Sequence, residues 1–182
     1  MSLDLDAIRA SLRGDWLLPA LQQLDATAEV IFARQDGQQP AEPYATLLIA
    51  GIARRGAADE RRGPDTDGLV KLTGTRRLAV SVNVFGPQAV RMAEHAIAYL
   101  GLSTVTAALR ADGVVVYRSE DVQDLTGILD TGFQGRAQFD LAVGVVSELV
   151  ETIDVIDGAV IGETVRDVDG VRIVHSSSLR VG

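Results

Sequence analysis

The sequence predicts an α+β protein: a mostly antiparallel, twisted sheet with helices packed on one of its faces. Three observations carry this. Two long runs, Leu69 to Phe85 and Arg136 to about Ile153, alternate apolar and polar residues with the period of two that marks a strand with one buried face. Helical apolar spacing occurs only in the N-terminal stretch and between the third and fourth strands, so the regular strand–helix rhythm of a parallel sheet is missing. Gly, Pro and Asp turn signals separate strands that follow one another in hairpin-like succession.

Taken in order, Leu3 to Leu12 reads as a short amphipathic helix, with Leu5, Ile8 and Leu12 on one face and Asp4 or Asp6 near its positive end. Gly14 is expected to end it, and a second helical stretch to run from about Trp16 to Leu24. Glu29 to Ala33 reads as a first strand, and the Pro- and Gly-bearing loop from Gln35 to Pro43 separates it from a second, Tyr44 to Arg54. Residues 55–67 are charged and without periodicity, which predicts a mobile loop or an extended hairpin tip. After the strand Leu69 to Phe85, Gly86-Pro87 opens the clearest helix, with Val90, Ala93, Ile97 and Leu100 as its apolar stripe. Arg91, Glu94 and His95 fall on its wet side, and Gly101 closes it. Ser103 is placed to cap a helix through about Ala111, and Asp112-Gly113 turns the chain into a strand, Val114 to Tyr117.

The polar segment 122–135, punctuated by Gly132 and Gly135, feeds the longest strand. On that strand Phe139, Leu141, Val143, Val145 and Leu149 mark one face, and Gln138, Asp140, Ala142, Gly144, Val146 and Glu148 the other. Ala159 to Val165 and Val171 to Val174, joined across Asp167-Val-Asp-Gly170, form a terminal hairpin. No repeat or linker interrupts the chain, so residues 1–182 are expected to form a single domain, with 1–40 as a helical segment plus first strand and 158–182 as a hairpin and tail.

A chain of 182 residues is long enough to bury roughly 70% of its unfolded surface. With four Phe, three Tyr and one Trp, its core must be largely aliphatic. The absence of cysteine excludes disulfides, zinc–thiolate sites and thiol catalysis. The opening residues show neither a basic leader nor an apolar run, and no window approaches the ~18 apolar residues that span a bilayer, so a soluble, unexported protein is expected. The net charge of −8 argues against binding nucleic acid through its phosphates. That excess is confined: residues 1–118 carry 13 acidic and 13 basic side chains, and residues 119–182 carry 12 and 4.

Sites of chemistry are scarce. His95 and His175 have no carboxylate at ligand spacing, which favours solvated or surface-pairing roles. Asp65-Thr-Asp67-Gly68 and Asp167-Val-Asp169-Gly170 lack the further ligands of a calcium loop and read as turns. Gly132-Phe-Gln-Gly135 precedes a strand and lacks the Gly-Lys-Ser/Thr ending of a phosphate loop. No catalytic, metal-binding or cofactor-binding residue is assigned, and the protein is expected not to be an enzyme. The features left are architectural. Arg54, Arg55, Arg61, Arg62, Arg76 and Arg77 cluster around the charged loop, as an intersubunit arm or as a solvated hairpin tip. Arg136 and Asp140, four residues apart on one strand face, are candidates for a salt bridge within the sheet or for a contact across subunits.

Pro43-Tyr44-Ala-Thr entering a strand, a charged loop holding Asp59-Glu60, Val80-Ser-Val-Asn-Val-Phe-Gly86 before an Ala-rich helix, and Val122-x-Asp-Leu-Thr with Phe133-x-Gly-Arg-Ala-x-Phe-Asp140 follow one another in this order. Together they resemble the phage neck or tail-terminator family over roughly residues 40–155. The resemblance implies a tail-terminator-like fold and a structural virion protein, assembled in the host cytoplasm. Its partners would be copies of itself in a ring, commonly six-fold, the tail tube protein, and a head-completion or connector protein. The ring would stop tube polymerisation at the head-proximal end, and DNA would pass through its lumen without specific binding. A lumen lined by Glu148, Glu151 and Asp154 would repel the duplex and let it slide. The alternative that an α+β sheet equally supports is a cytosolic, oligomeric ligand-binding or regulatory domain.

Overall fold

The unbroken alternation of Leu69–Phe85 forms a 17-residue strand, β4 in chain order, and a second strand of 17 residues, Arg136–Thr152 (β9), lies beside it. The computed structural model describes residues 3–35, 38–56, 58–65, 68–129, 132–153, 159–166 and 172–179. They fall into two units, Met1–Glu60 with Leu72–Leu149, and Arg61–Lys71 with Val150–Gly182.

The architecture is α+β, as the alternation predicts. β1 (Glu29–Phe32), β2 (Tyr44–Arg54), β4, β9 and β5 (Val115–Ser119) form the sheet in the order β1-β2-β4-β9-β5. Two short strands join it, β3 (Glu60–Arg62) on β4 and β6 (Gln123–Asp124) on β9. β1 runs parallel to β2, while β2 and β4, and β9 and β5, pair antiparallel. The charged loop expected over 55–67 is therefore partly strand, since β3 lies within it. The polar segment 122–135 is also more ordered than its composition implies. Asp124 accepts the Thr126 amide at 2.9 Å, and β7 (Gly127–Leu129) and β8 (Gly132–Gln134) form a small antiparallel hairpin.

The helices cover one face of the sheet. From that face Val80, Val82 and Val84 of β4, Ala45 and Leu47 of β2, and Ala137, Phe139, Leu141 and Val143 of β9 enter a single buried cluster. The N-terminal part of the cluster corrects the expected break at Gly14. One helical run continues through α1 (Leu5–Ser11), a π-helical stretch (Leu12–Leu17) and α2 (Leu18–Gln22), and Asp4 caps its start by accepting the Asp6 and Ala7 amides at 3.0 Å. Helical glycine costs only about 1 kcal/mol. Burial of Leu12, Trp16, Leu17, Ala20 and Leu21, each 0% exposed, outweighs that cost many times over.

α3 (Ala89–Tyr99) buries Ala89, Met92, Ala93 and Ala96, and Val90 is exposed, so the contact stripe is turned about one residue from the expected Val90-Ala93-Ile97-Leu100. Ile97 and Leu100 still pack at its margin. Three of the four buried side chains are alanines, and a small-residue face lets the helix axis approach the sheet more closely than a Val-led face would. In α4 (Ser103–Ala111), Leu102 holds the cap position and Ser103 is the first helical residue, with no side-chain cap; Val105 and Leu109 face the core. Along β9 burial ends at Val145, and Leu149, expected inside, is 58% exposed.

In the second unit, β10 (Ala159–Arg166) and β11 (Arg172–Leu179) pair antiparallel from Ala159↔Leu179 to Arg166↔Arg172, which is the terminal hairpin the sequence predicts. Its turn, 167–171, lies outside the described residues. In the same unit the Asp65 carboxylate accepts the Leu69 amide at 2.9 Å and Gly68 takes a φ of 73°, as expected of a turn.

Candidate assembly surfaces

The face of the sheet away from the helices is polar and half-buried. In the β2–β4 register Tyr44 stands opposite Phe85 and Thr46 opposite Asn83. Their rings stack at 4.6 Å with an 11° interplanar angle, and the Arg136 guanidinium lies 5.5 Å over Phe85. Arg136 also donates to Asn83 Oδ1 from Nη2 at 2.8 Å and from Nε at 3.2 Å, and the next residue on that face, Gln138, donates to Ser81 Oγ at 3.3 Å. Burial pushes the Tyr44 hydroxyl above its ordinary value, with the Glu42 charge adding to the effect.

Arg136 and Asp140 do share this face, as their spacing requires. They form no salt bridge: four residues of strand separate their Cα atoms by about 13 Å, and Arg136 is engaged by Asn83 and Phe85. Asp140 Oδ1 is buried with no hydrogen-bond partner.

The six arginines are divided between the two units. Arg54 ends β2 opposite Arg76 of β4, Arg77 stands opposite Ala53, and Arg55 follows with its amide on the Thr75 carbonyl at 3.0 Å, whereas Arg61 and Arg62 lie in β3 and belong to the other unit. Arg76 is held in a bidentate pair by Asp59, at 2.7 and 2.6 Å, with both side chains nearly covered. The Arg76 hydrogen bonds hold the Asp59 carboxyl below its ordinary value of 3.8 and raise the guanidinium in turn. Arg55 lies 5.0 Å over the ring of Tyr117, and that ring lies against the bare Cα of Gly144. Arg54, Arg55, Arg77 and Tyr117, with Ala53 and Ala142, line a pocket of about 420 Å³. Of the acidic trio, Glu148 is half-buried, Glu151 is exposed, and Asp154 lies outside the described residues.

Gly74 makes room for the Asp59–Arg76 pair, because a Cβ there would overlap both Asp59 Oδ1 and Arg76 Nη1. Gly74→Ala is therefore expected to break the pair and to change the pH dependence of stability. A carboxylate whose value is lowered on folding stabilises fully above its unfolded value, near 3.8, and that stabilisation is lost as pH falls through the lower folded value. The melting temperature of the native protein should thus fall more steeply in that acid range than that of Gly74→Ala; equal slopes would show that the pair contributes nothing.

Among the described residues, no three His, Asp or Glu side chains gather as a metal-binding group. His95 Nε2 lies 3.2 Å from Gln23 Oε1, in keeping with surface pairing, and the side chain of His175 is outside the description. Sequence reading missed Asn83, Phe85 and Tyr117. Each is an ordinary member of an alternating strand, and its importance depends on the cross-strand register. Phe133, on β8, is 82% exposed, which its place in the Phe-x-Gly-Arg motif does not disclose.

The family model for phage neck terminator proteins matches residues 6–167, and the chain belongs to that family, a structural family of the phage neck. A comparison with curated proteins gave no match. No helix among the described residues is long and apolar enough to cross a membrane.

Proposed function

We propose that the protein acts as a tail terminator: a homo-oligomeric ring on the head-proximal end of the tail tube that stops tube polymerisation and provides the seat for the head-completion protein. The observation that carries this reading is the family match over 162 of the chain's 182 residues, 6–167. The half-buried polar sheet face supports it, because Arg136, Gln138, Asn83 and Ser81 are held in fixed positions by one another and not by an apolar layer. A pre-ordered polar surface loses little side-chain entropy when a partner covers it. The helix face, by contrast, is largely occupied by the chain's own core.

The test is loss of the gene product in the phage that encodes it. Electron micrographs of the lysate are expected to show tail tubes of uncontrolled length that carry no heads, and supplying the protein in trans should restore joined particles. Tails of normal length attached to heads in its absence would overturn the proposal.

A further inference from the structure

We infer that copies of this chain meet head to tail through two complementary patches, an acidic groove on the helix side of the sheet and the arginine pocket on its open side. This rests on the ring reading above and names the surfaces through which the ring would close.

The groove, about 740 Å³, lies between α1 and the end of β9. Ala7, Ile8, Val145 and Val146 make its floor apolar, and Val146 is 61% exposed. Its rim carries Asp4, Asp15, Asp112 and Glu148, and among the described residues no lysine or arginine lines it. The arginine pocket has the opposite character: Arg54, Arg55 and Arg77 line it with Tyr117, which is 48% exposed, and among the described residues no acidic side chain lines it.

The two patches cannot satisfy each other within one chain. Val145 follows the parity of Phe139 and Val143, which face the helices, and α1 belongs to that side. Ala142 has the parity of Arg136 and Gln138, whose partners Asn83 and Ser81 share a face with Arg77 by register. Asp4, Asp15 and Asp112 of the groove, on the helical elements and their connections, thus lie on the side of the sheet away from the arginine pocket, while Val146 and Glu148, of Ala142's parity, edge the groove where β9 runs past its pairing with β5. Joining the groove to the pocket on a neighbouring molecule is a heterologous contact, which generates a ring when its rotation closes. The apolar floor and the Arg55–Tyr117 pair supply affinity, since aromatic and Arg side chains dominate interface energetics. The opposed charges steer the encounter and fix its register. A nucleic-acid backbone would suit the arginine pocket but be repelled by the groove; a second copy satisfies both.

Two charge-reversed variants test this by sedimentation velocity: Asp112→Arg with Glu148→Arg in the groove, and Arg54→Glu with Arg77→Glu in the pocket. None of the four residues is in the buried core, and thermal melts check that each variant is folded. The native protein is expected to form oligomers that weaken as salt screens the pairs. Each variant alone should associate about tenfold more weakly or worse. An equimolar mixture should recover association, because the basic groove of one variant now faces the acidic pocket of the other, and both native patches remain matched in the alternating assembly. If each variant assembles like the native protein, the patches are not the interface and the ring reading is untouched. If both weaken but the mixture does not recover, the patches do not meet each other and the inference falls. A native protein that stays monomeric at all concentrations and salts would overturn this inference and the ring reading together.

Discussion

Trp16→Ala is expected to lower the unfolding free energy by about 3–5 kcal/mol, the range for removing a large aromatic from a packed core. Trp16 is fully buried, and its ring meets Phe139 edge-on at 6.2 Å and 73°. It therefore joins the N-terminal helical run to the central strand β9. Its Nε1 also donates to the Ala96 carbonyl at 2.8 Å. That carbonyl lies in the last turn of α3, where the Leu100 amide turns back to Ile97. The indole thus serves three elements at once: it fills the space under the sheet, orients Phe139 and satisfies a helix-terminal acceptor. Trp16→Phe separates these contributions. It keeps most of the buried area and loses the donor, so a cost of about 1–3 kcal/mol is expected for leaving Ala96 unpaired. Denaturant melts of both variants measure the difference: a Trp16→Phe variant as stable as the native protein would mean that the hydrogen bond carries nothing, and losses equal to those of Trp16→Ala would mean that the buried ring area does. With domain stabilities of roughly 5–15 kcal/mol, the alanine variant stands near the limit of folding. A protein poised there would fail in assembly for lack of folded subunits, so its stability has to be measured before its assembly is interpreted.

The same residue shows what the sequence discloses and what it withholds. β2 and β4 are found at the residues expected of them, Tyr44–Arg54 and Leu69–Phe85, because alternation and flanking Gly and Pro are local signals. The continuity of the N-terminal helix through Gly14 was not legible. It depends on Trp16 and Leu17 finding Phe139 and the sheet more than a hundred residues away, and a propensity argument does not contain that partner. The phase of α3 was shifted for a related reason: Val90 is the more apolar residue, but the close sheet selects the alanines. In the assembly surfaces, spacing alone put Arg136 and Asp140 on one face. It did not reveal that Asn83, from β4, takes the arginine and leaves Asp140 Oδ1 without a partner. The arginine cluster likewise looked continuous along the chain, and pairing of β2 with β4 gathers only four of its six members. Register, which decides all of these contacts, is set by the whole sheet and by no single strand.

Gly135→Ala is expected to cost about 1–3 kcal/mol or more, the range for forcing extra volume into a packed site. In the sequence Gly135 only punctuates the polar segment before β9. The structure gives it another role. A Cβ on residue 135 would run into the carbonyl oxygen of Gly86 and lie 3.0 Å from its carbonyl carbon, with Pro87 Cα at 3.6 Å. The obstacle is backbone, so no side chain can rotate away. Gly86 itself has a φ of 132°, and its amide donates to the Gly135 carbonyl at 2.9 Å. Two glycines thus bring the end of β4 and the start of β9 into main-chain contact just before α3 begins. The methyl group has to break that hydrogen bond or displace the start of β9, and Arg136, the next residue, moves with it. Loss of stability should therefore accompany loss of the Arg136–Asn83–Phe85 arrangement on the polar sheet face. An Arg136→Ala variant separates the two effects: it removes the surface contacts and leaves the backbone contact intact. If Gly135→Ala melts like the native protein, the two segments part without penalty and the close approach has no structural role. If it melts lower while Arg136→Ala does not, the glycine pair itself holds the two strands in place.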